Sequence, residues 1–100
     1  MSAPPDNRER ITRMDAVLRD AFAPDSLRVE DESHLHVGHA GARSGRGHFR
    51  VHIVSAAFRG QAPLARHRAV YAALGTMMET DIHALAIHAR TPDEAAERGD

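Results

Sequence analysis

The chain contains no cysteine, no tryptophan and no lysine. Without cysteine it can form no disulfide, and it cannot build a thiolate-ligated metal or iron–sulfur centre alone, although a partner can bring sulfur to a shared one. All thirteen basic residues are arginine, which reads mainly as the codon bias of a GC-rich genome. No stretch approaches a membrane span, and the N-terminus lacks the apolar region of a signal peptide, so the expected compartment is the cytoplasm. Acidic residues are missing from one long region. Between Ser33 and Met78 there is none, yet that stretch holds six arginines and six of the eight histidines. The formal net charge of −1 therefore hides a basic, imidazole-rich centre between acidic ends. Such a centre suits a phosphate backbone, an anionic cofactor, or a metal that takes nitrogen ligands.

The motifs of common enzymes are missing too. There is no G-x-S-x-G turn, no H-E-x-x-H and no P-loop, and Glu30, Asp31 and Glu32 alternate across a strand end rather than face one site. The expectation is a protein that is not an enzyme.

One hundred residues suit one domain with one core, assigned to residues 6–98 after a loose tail over 1–5. Asp6 and Glu9 form a capping box that opens a helix carrying Ile11, Met14, Val17, Leu18, Ala21 and Phe22 at helical spacing, and Pro24 ends it. Leu27–Asp31 reads as a strand, followed by a Gly- and His-rich loop from about Ser33 to Gly47. Phe49, Val51 and Ile53 alternate with Arg50, His52 and Val54, marking a second strand antiparallel to the first. An irregular link through Phe58 and Gly60 leads to a second long helix, Pro63–Met78, expected to bury Leu64, His67, Tyr71, Leu74 and Met78. A third strand, Ile82–Ala89, and a short acidic helix opened by Pro92 complete an α-β-β-α-β-α order. The crossover helix favours parallel pairing of the second and third strands. The fold class is α+β in two layers, a three-stranded mixed sheet with helices on one face.

Several runs then resemble one family in order and spacing: V-E-D-E-S-H (Val29–His34), G-H-A-G (Gly38–Gly41), H-F-R-V-H-I-V-S (His48–Ser55), F-R-G (Phe58–Gly60), A-R-H-R-A-V-Y (Ala65–Tyr71) and I-H-A-L-A-I-H-A (Ile82–Ala89). Together they resemble the BolA-like family over roughly residues 8–96. The resemblance implies a class II KH-like fold and two roles. One is a heterodimer with a monothiol glutaredoxin around a shared [2Fe–2S] cluster, in cluster assembly, trafficking or iron regulation. The other is a transcription regulator that binds double-stranded DNA and influences cell shape and stress responses.

The family's hallmark cluster ligand maps onto His83, and the histidine of its loop maps best onto His39, with His34 and His36 in the same region. The chain resembles the histidine branch of the family, since the other branch uses a loop cysteine and this sequence has none. The glutaredoxin would add its active-site cysteine and a glutathione thiolate, so no cluster is expected on the isolated chain. The plain alternative for His83 is a half-buried histidine at the edge of the core, beside Leu85 and Ile87. Arg66, His67 and Arg68 resemble the family's partner-binding surface and are candidates for contact with the glutaredoxin or glutathione. His67 falls on the apolar stripe, whereas Arg66 and Arg68 are expected to point outward. A DNA surface would use Arg50, Arg59, Arg66 and Arg68. The G-H-A-G run is not read as the GXXG clamp of KH domains, which must join two helices rather than two strands. A homodimer of the apo chain is a further expected association.

Overall fold

Asp6 caps the first helix, α1 (Asn7–Phe22), by accepting a 2.8 Å hydrogen bond from the Glu9 backbone N–H. The structure, a computed structural model, describes residues 6–33 and 45–97. The tail over 1–5 and the segment 34–44, which contains His34, His36, His39 and the G-H-A-G run, lie outside the described residues. Met14 and Leu18 are the buried apolar residues of α1, with Ile11, Val17 and Phe22 partly buried beside them; Ala21, expected on this stripe, is exposed. Ala23 ends the helix in the left-handed region, just before Pro24.

The order continues β1 (Ser26–Asp31), β2 (Gly47–Val54), a short 3-10 turn at Ala56–Phe58, α2 (Pro63–Leu74), α3 (Met77–Thr80), β3 (Ile82–Arg90) and α4 (Pro92–Glu97). The sheet order is β1-β2-β3, with β1 antiparallel and β3 parallel to β2. This is the expected mixed three-stranded sheet. The alternation in β2 sorts its side chains. Phe49, Val51 and Ile53 join Met14, Leu18, Val70 and Leu74 in the core, so α1 and α2 cover that face. Arg50 and His52 occupy the other face, where they meet side chains of β1 and β3. No described helix is long and apolar enough to cross a membrane.

Two expectations about the second helix are corrected. It does not run to Met78, because Gly75 breaks it at φ 57°, a conformation that favours glycine, and a separate turn of helix follows. Its buried stripe is also rotated. Arg66, Val70 and Leu74, four residues apart, face inward, whereas Leu64 is 60% and Tyr71 39% exposed.

Candidate functional site

The start of β3 is set by a buried ion pair. Arg10 on α1 donates from Nε to Asp81 Oδ1 at 3.1 Å, and both side chains are buried. Burial acts to raise the Asp81 carboxyl, but hydrogen bonds from Thr80 and Arg10 and the charges of Arg13 and Arg10 together hold it below the usual carboxylate range. The Asp81 carbonyl also accepts from Gly47 N–H at 2.9 Å, which ties the start of β2 to the same point. Gly47 is required there: a Cβ would lie 2.5 Å from the Phe49 ring and 2.8 Å from Asn7 Oδ1.

His83 stands two residues beyond this anchor. The pairing of β2 with β3 shifts register here, since Gly47 faces Ile82 while the next residue, His48, faces Ala84. His83 is the extra residue of this bulge, and it is exposed. The reading of a half-buried, edge-of-core histidine in one row with Leu85 and Ile87 is therefore corrected: the bulge interrupts the strict alternation on which it rested. The His83 ring lies 5.1 Å from the ring of His48, and its Nδ1 is 3.2 Å from Arg46 Nη2. A guanidinium only donates, so Nδ1 is the acceptor and the proton of the neutral ring sits on Nε2.

The segment containing His39 is rooted next to this bulge. At its near end, Ser33 Oγ accepts from the His48 N–H and from Asn7 Nδ2, both at 3.0 Å, and Glu32 N–H donates to the His48 carbonyl at 2.7 Å. At its far end, Arg46 touches His83 and donates to the Glu79 carbonyl. His39 itself lies outside the described residues. Among the described residues, no group of three or more His, Cys, Asp or Glu side chains is arranged to hold a metal ion. His48 was not singled out in the sequence. Only the bulge brings its ring to His83, and no spacing rule signals that.

The remaining candidates separate. Arg66 does not point outward: its side chain is 10% exposed and donates to the carbonyls of Gln61 (2.8 Å) and Ala89 (3.1 Å) and to Glu94 (2.5 Å). The hydrogen bonds from Arg66 and from Thr91 pull the Glu94 carboxyl down to about 2. Arg66 thus joins α2, β3 and α4 and is no free cation for a partner or a phosphate. His67 is half-buried and lines a groove of about 250 Å³ with Pro63, Arg66, Ile87 and Glu94. Arg68 and Arg59 are exposed, and no ion pair with a described residue holds either of them.

Arg50 lies on the open sheet face, where Glu32 (2.8 Å) raises its pKa by a hydrogen bond and by charge. It also reaches His88 Nε2 at 2.7 Å, and the His88 ring stacks on His52 with centroids 4.8 Å apart and planes 7° apart. His52 in turn bonds Glu30 at 2.6 Å. The acid-free run between Ser33 and Met78 is therefore not acid-free in space, because Glu30 on β1 and Glu32 just past its end lie against it. Burial, then the charges of His52, Arg50 and Arg90, lower the pKa of His88.

The family profile described as BolA-like protein matches residues 18–94. The chain belongs to the BolA-like family. This BolA-like chain is 44% identical over 82 residues to the DNA-binding transcriptional regulator BolA of Escherichia coli, covering 82% of this chain and 75% of that protein. It is 47% identical over 75 residues to human BolA-like protein 1, covering 75% of this chain and 53% of the human protein, so it spans about half that relative's length. Among solved structures, the BolA domain of SufE1 from Arabidopsis thaliana superposes with a TM-score of 0.76 at 40% identity, over 85% of this chain and 94% of that one.

Proposed function

We propose that this BolA-like protein is a non-enzymatic adaptor that shares a [2Fe–2S] cluster with a monothiol glutaredoxin, with His83 and His39 as its ligands. The observation that carries this reading is the exposed His83, held on a bulge beside the root of the segment bearing His39. The donor set suits the group. A neutral imidazole is a good borderline ligand for iron, and the exposed ring can be reached by a second protein. A cluster of this kind, when bound, supplies two irons that accept mixed nitrogen and sulfur ligation and one-electron chemistry.

The residues of this chain would orient and release the imidazole. Arg10 and Asp81 fix the backbone two residues before His83. Arg46 occupies the Nδ1 lone pair. Ligation through Nδ1 displaces the guanidinium directly, and ligation through Nε2 moves the ring proton to Nδ1, which then no longer accepts from Arg46. Either route would end the Arg46–His83 hydrogen bond, while the bond from Arg46 to the Glu79 carbonyl is untouched. Co-expression with a monothiol glutaredoxin, followed by iron and sulfide quantification and visible circular dichroism, tests the reading. A coloured complex with two irons and two sulfides per heterodimer is expected, from a chain that is colourless alone. A complex that forms without metal, or with the same spectrum in the His83→Ala protein, contradicts it.

The E. coli relative's description as a DNA-binding regulator supports a second reading, contact with duplex phosphates. Arg59 and Arg68, both exposed, are the side chains suited to it; Arg66 and Arg50 are engaged within the fold. Replacing Arg59 and Arg68 together should weaken duplex binding and lower its salt dependence. An unchanged salt slope removes this surface.

A further inference from the structure

A run of polar side chains crosses the open sheet face from the end of β1 to β3. Glu32, just past β1, accepts from Arg50 Nε on β2 at 2.8 Å, and Arg50 Nη1 lies 2.7 Å from His88 Nε2 on β3. In the next row His52 and His88 face each other in register, with their rings stacked 4.8 Å apart. We propose that Arg50 and His88 form a proton-operated latch between β2 and β3, closed while the imidazole is neutral and released when the ring takes a second proton.

The latch follows from what each group can do with a proton. A guanidinium donates and cannot accept, so His88 Nε2 must hold a lone pair toward Arg50. The single proton of the neutral ring is then on Nδ1. A second proton has to enter at Nε2, the atom that Arg50 occupies. It removes the acceptor and sets two cations 2.7 Å apart, which drives the side chains from each other. Arg50 keeps Glu32 on its Nε side, so it is released at one end only. His52 responds in the opposite way, although its ring lies parallel to that of His88. A carboxylate only accepts, so His52 Nε2 donates to Glu30 at 2.6 Å, and a second proton on Nδ1 leaves that bond in place. Acid therefore opens the side-chain tie between β2 and β3 and spares the one between β1 and β2.

The groups around His88 set the pH at which the latch opens. His52 and Arg50 on β2 and Arg90 on its own strand oppose a charge on the ring, and Glu32 favours it. Glu30 is engaged by His52. In the groove beside this part of β3, His67 accompanies Arg66 and Glu94, which are paired with each other. Burial first, and then the positive neighbours, lower the His88 pKa from the usual 6.5. The latch is accordingly closed at neutral pH and opens as the pH falls below 6.5.

The test uses the full chain without metal or glutaredoxin, so its outcome is independent of the cluster reading. Long-range proton–nitrogen NMR spectra of the histidine rings, recorded from about pH 8 to about pH 5, report tautomer and protonation directly. At the upper end His88 should carry its proton on Nδ1 and His52 on Nε2. On acidification His88 should titrate with a midpoint below 6.5, and the Arg50 side-chain N–H resonances should move at that same midpoint. These readouts need no variant. His88→Gln offers Arg50 an amide oxygen that takes no proton, so the Arg50 resonances should lose that step. Arg50→Gln removes the opposing cation, and the His88 midpoint should rise toward 6.5 or past it. Backbone amide spectra check that each variant is folded. A His88 proton on Nε2 at neutral pH, Arg50 resonances that stay in place while His88 titrates, or a His88 midpoint unmoved in folded Arg50→Gln would each overturn the proposal.

Discussion

Each end of β3 is tied by an arginine–carboxylate pair, but the two ends serve different purposes. At the start, Arg10 and Asp81 are both buried and hold the backbone two residues before an exposed histidine. At the finish, Arg66 fans out to two carbonyls and to Glu94, locking α2 and α4 onto the strand without leaving a free cation. The first pair supports a chemically available group. The second is itself the end point. Both arginines are buried, so the two ends differ in what stands beside each pair: an exposed histidine at the start, and a helix packed onto the strand at the finish.

The largest effect is expected at the start of the strand. Arg10→Ala takes the nearest cation from the buried Asp81 carboxylate, which keeps Thr80 and the more distant Arg13, and should cost about 3 kcal/mol, the low end for a broken buried pair, read as a lower urea midpoint with an unchanged m-value. Arg66→Ala should cost less, about 1.5–3 kcal/mol for carbonyls that lose a charged donor. Arg66→Lys should recover only part of it, because an ammonium lacks the planar fork that reaches several acceptors at once. If Arg66→Ala proves neutral, the contrast between the two ends is wrong.

Acid titration sharpens the comparison further. Glu94 is lowered from 4.5 to about 2 in the fold, so its contribution is complete above about 4.5 and is lost as the pH falls toward about 2. Asp81 is lowered as well and acts in the same direction. Arg66→Ala should flatten the stability profile across that window. His88, also lowered, stabilises above its unfolded value of 6.5, and this is lost as the pH falls below it. His88→Gln should remove that shallower slope, measured by urea unfolding between about pH 7 and 5. The smallest stability effect belongs to His83→Ala, within about 0.5 kcal/mol, because the ring is exposed. A large loss there would return His83 to a structural role.

Much of this arrangement was legible in the sequence. Asp6 announced the first cap, and the alternation of Phe49, Val51 and Ile53 identified the buried face of β2. The strand–helix–strand order fixed the parallel pair. The phase of α2 was not legible, because Leu64 and Tyr71 look like core residues, whereas the stripe that is buried begins with an arginine whose acceptor, Glu94, lies 28 residues away. The position of His83 escaped for a related reason. A bulge inserts one residue into the alternation, and the residues from Ile82 to Ala84 carry no mark of it. The partners of Arg50 and His52 were hidden as well, since Glu30 meets His52 only through the pairing of β1 with β2, and Glu32 meets Arg50 just past the end of that pairing.

The most direct test of His83 as a ligand is pulsed electron paramagnetic resonance on the reduced complex with a monothiol glutaredoxin. Nitrogen coupling from a coordinated imidazole is expected in the wild-type complex and should be lost or altered in the His83→Ala protein. Coupling that persists unchanged in that variant would contradict the assignment.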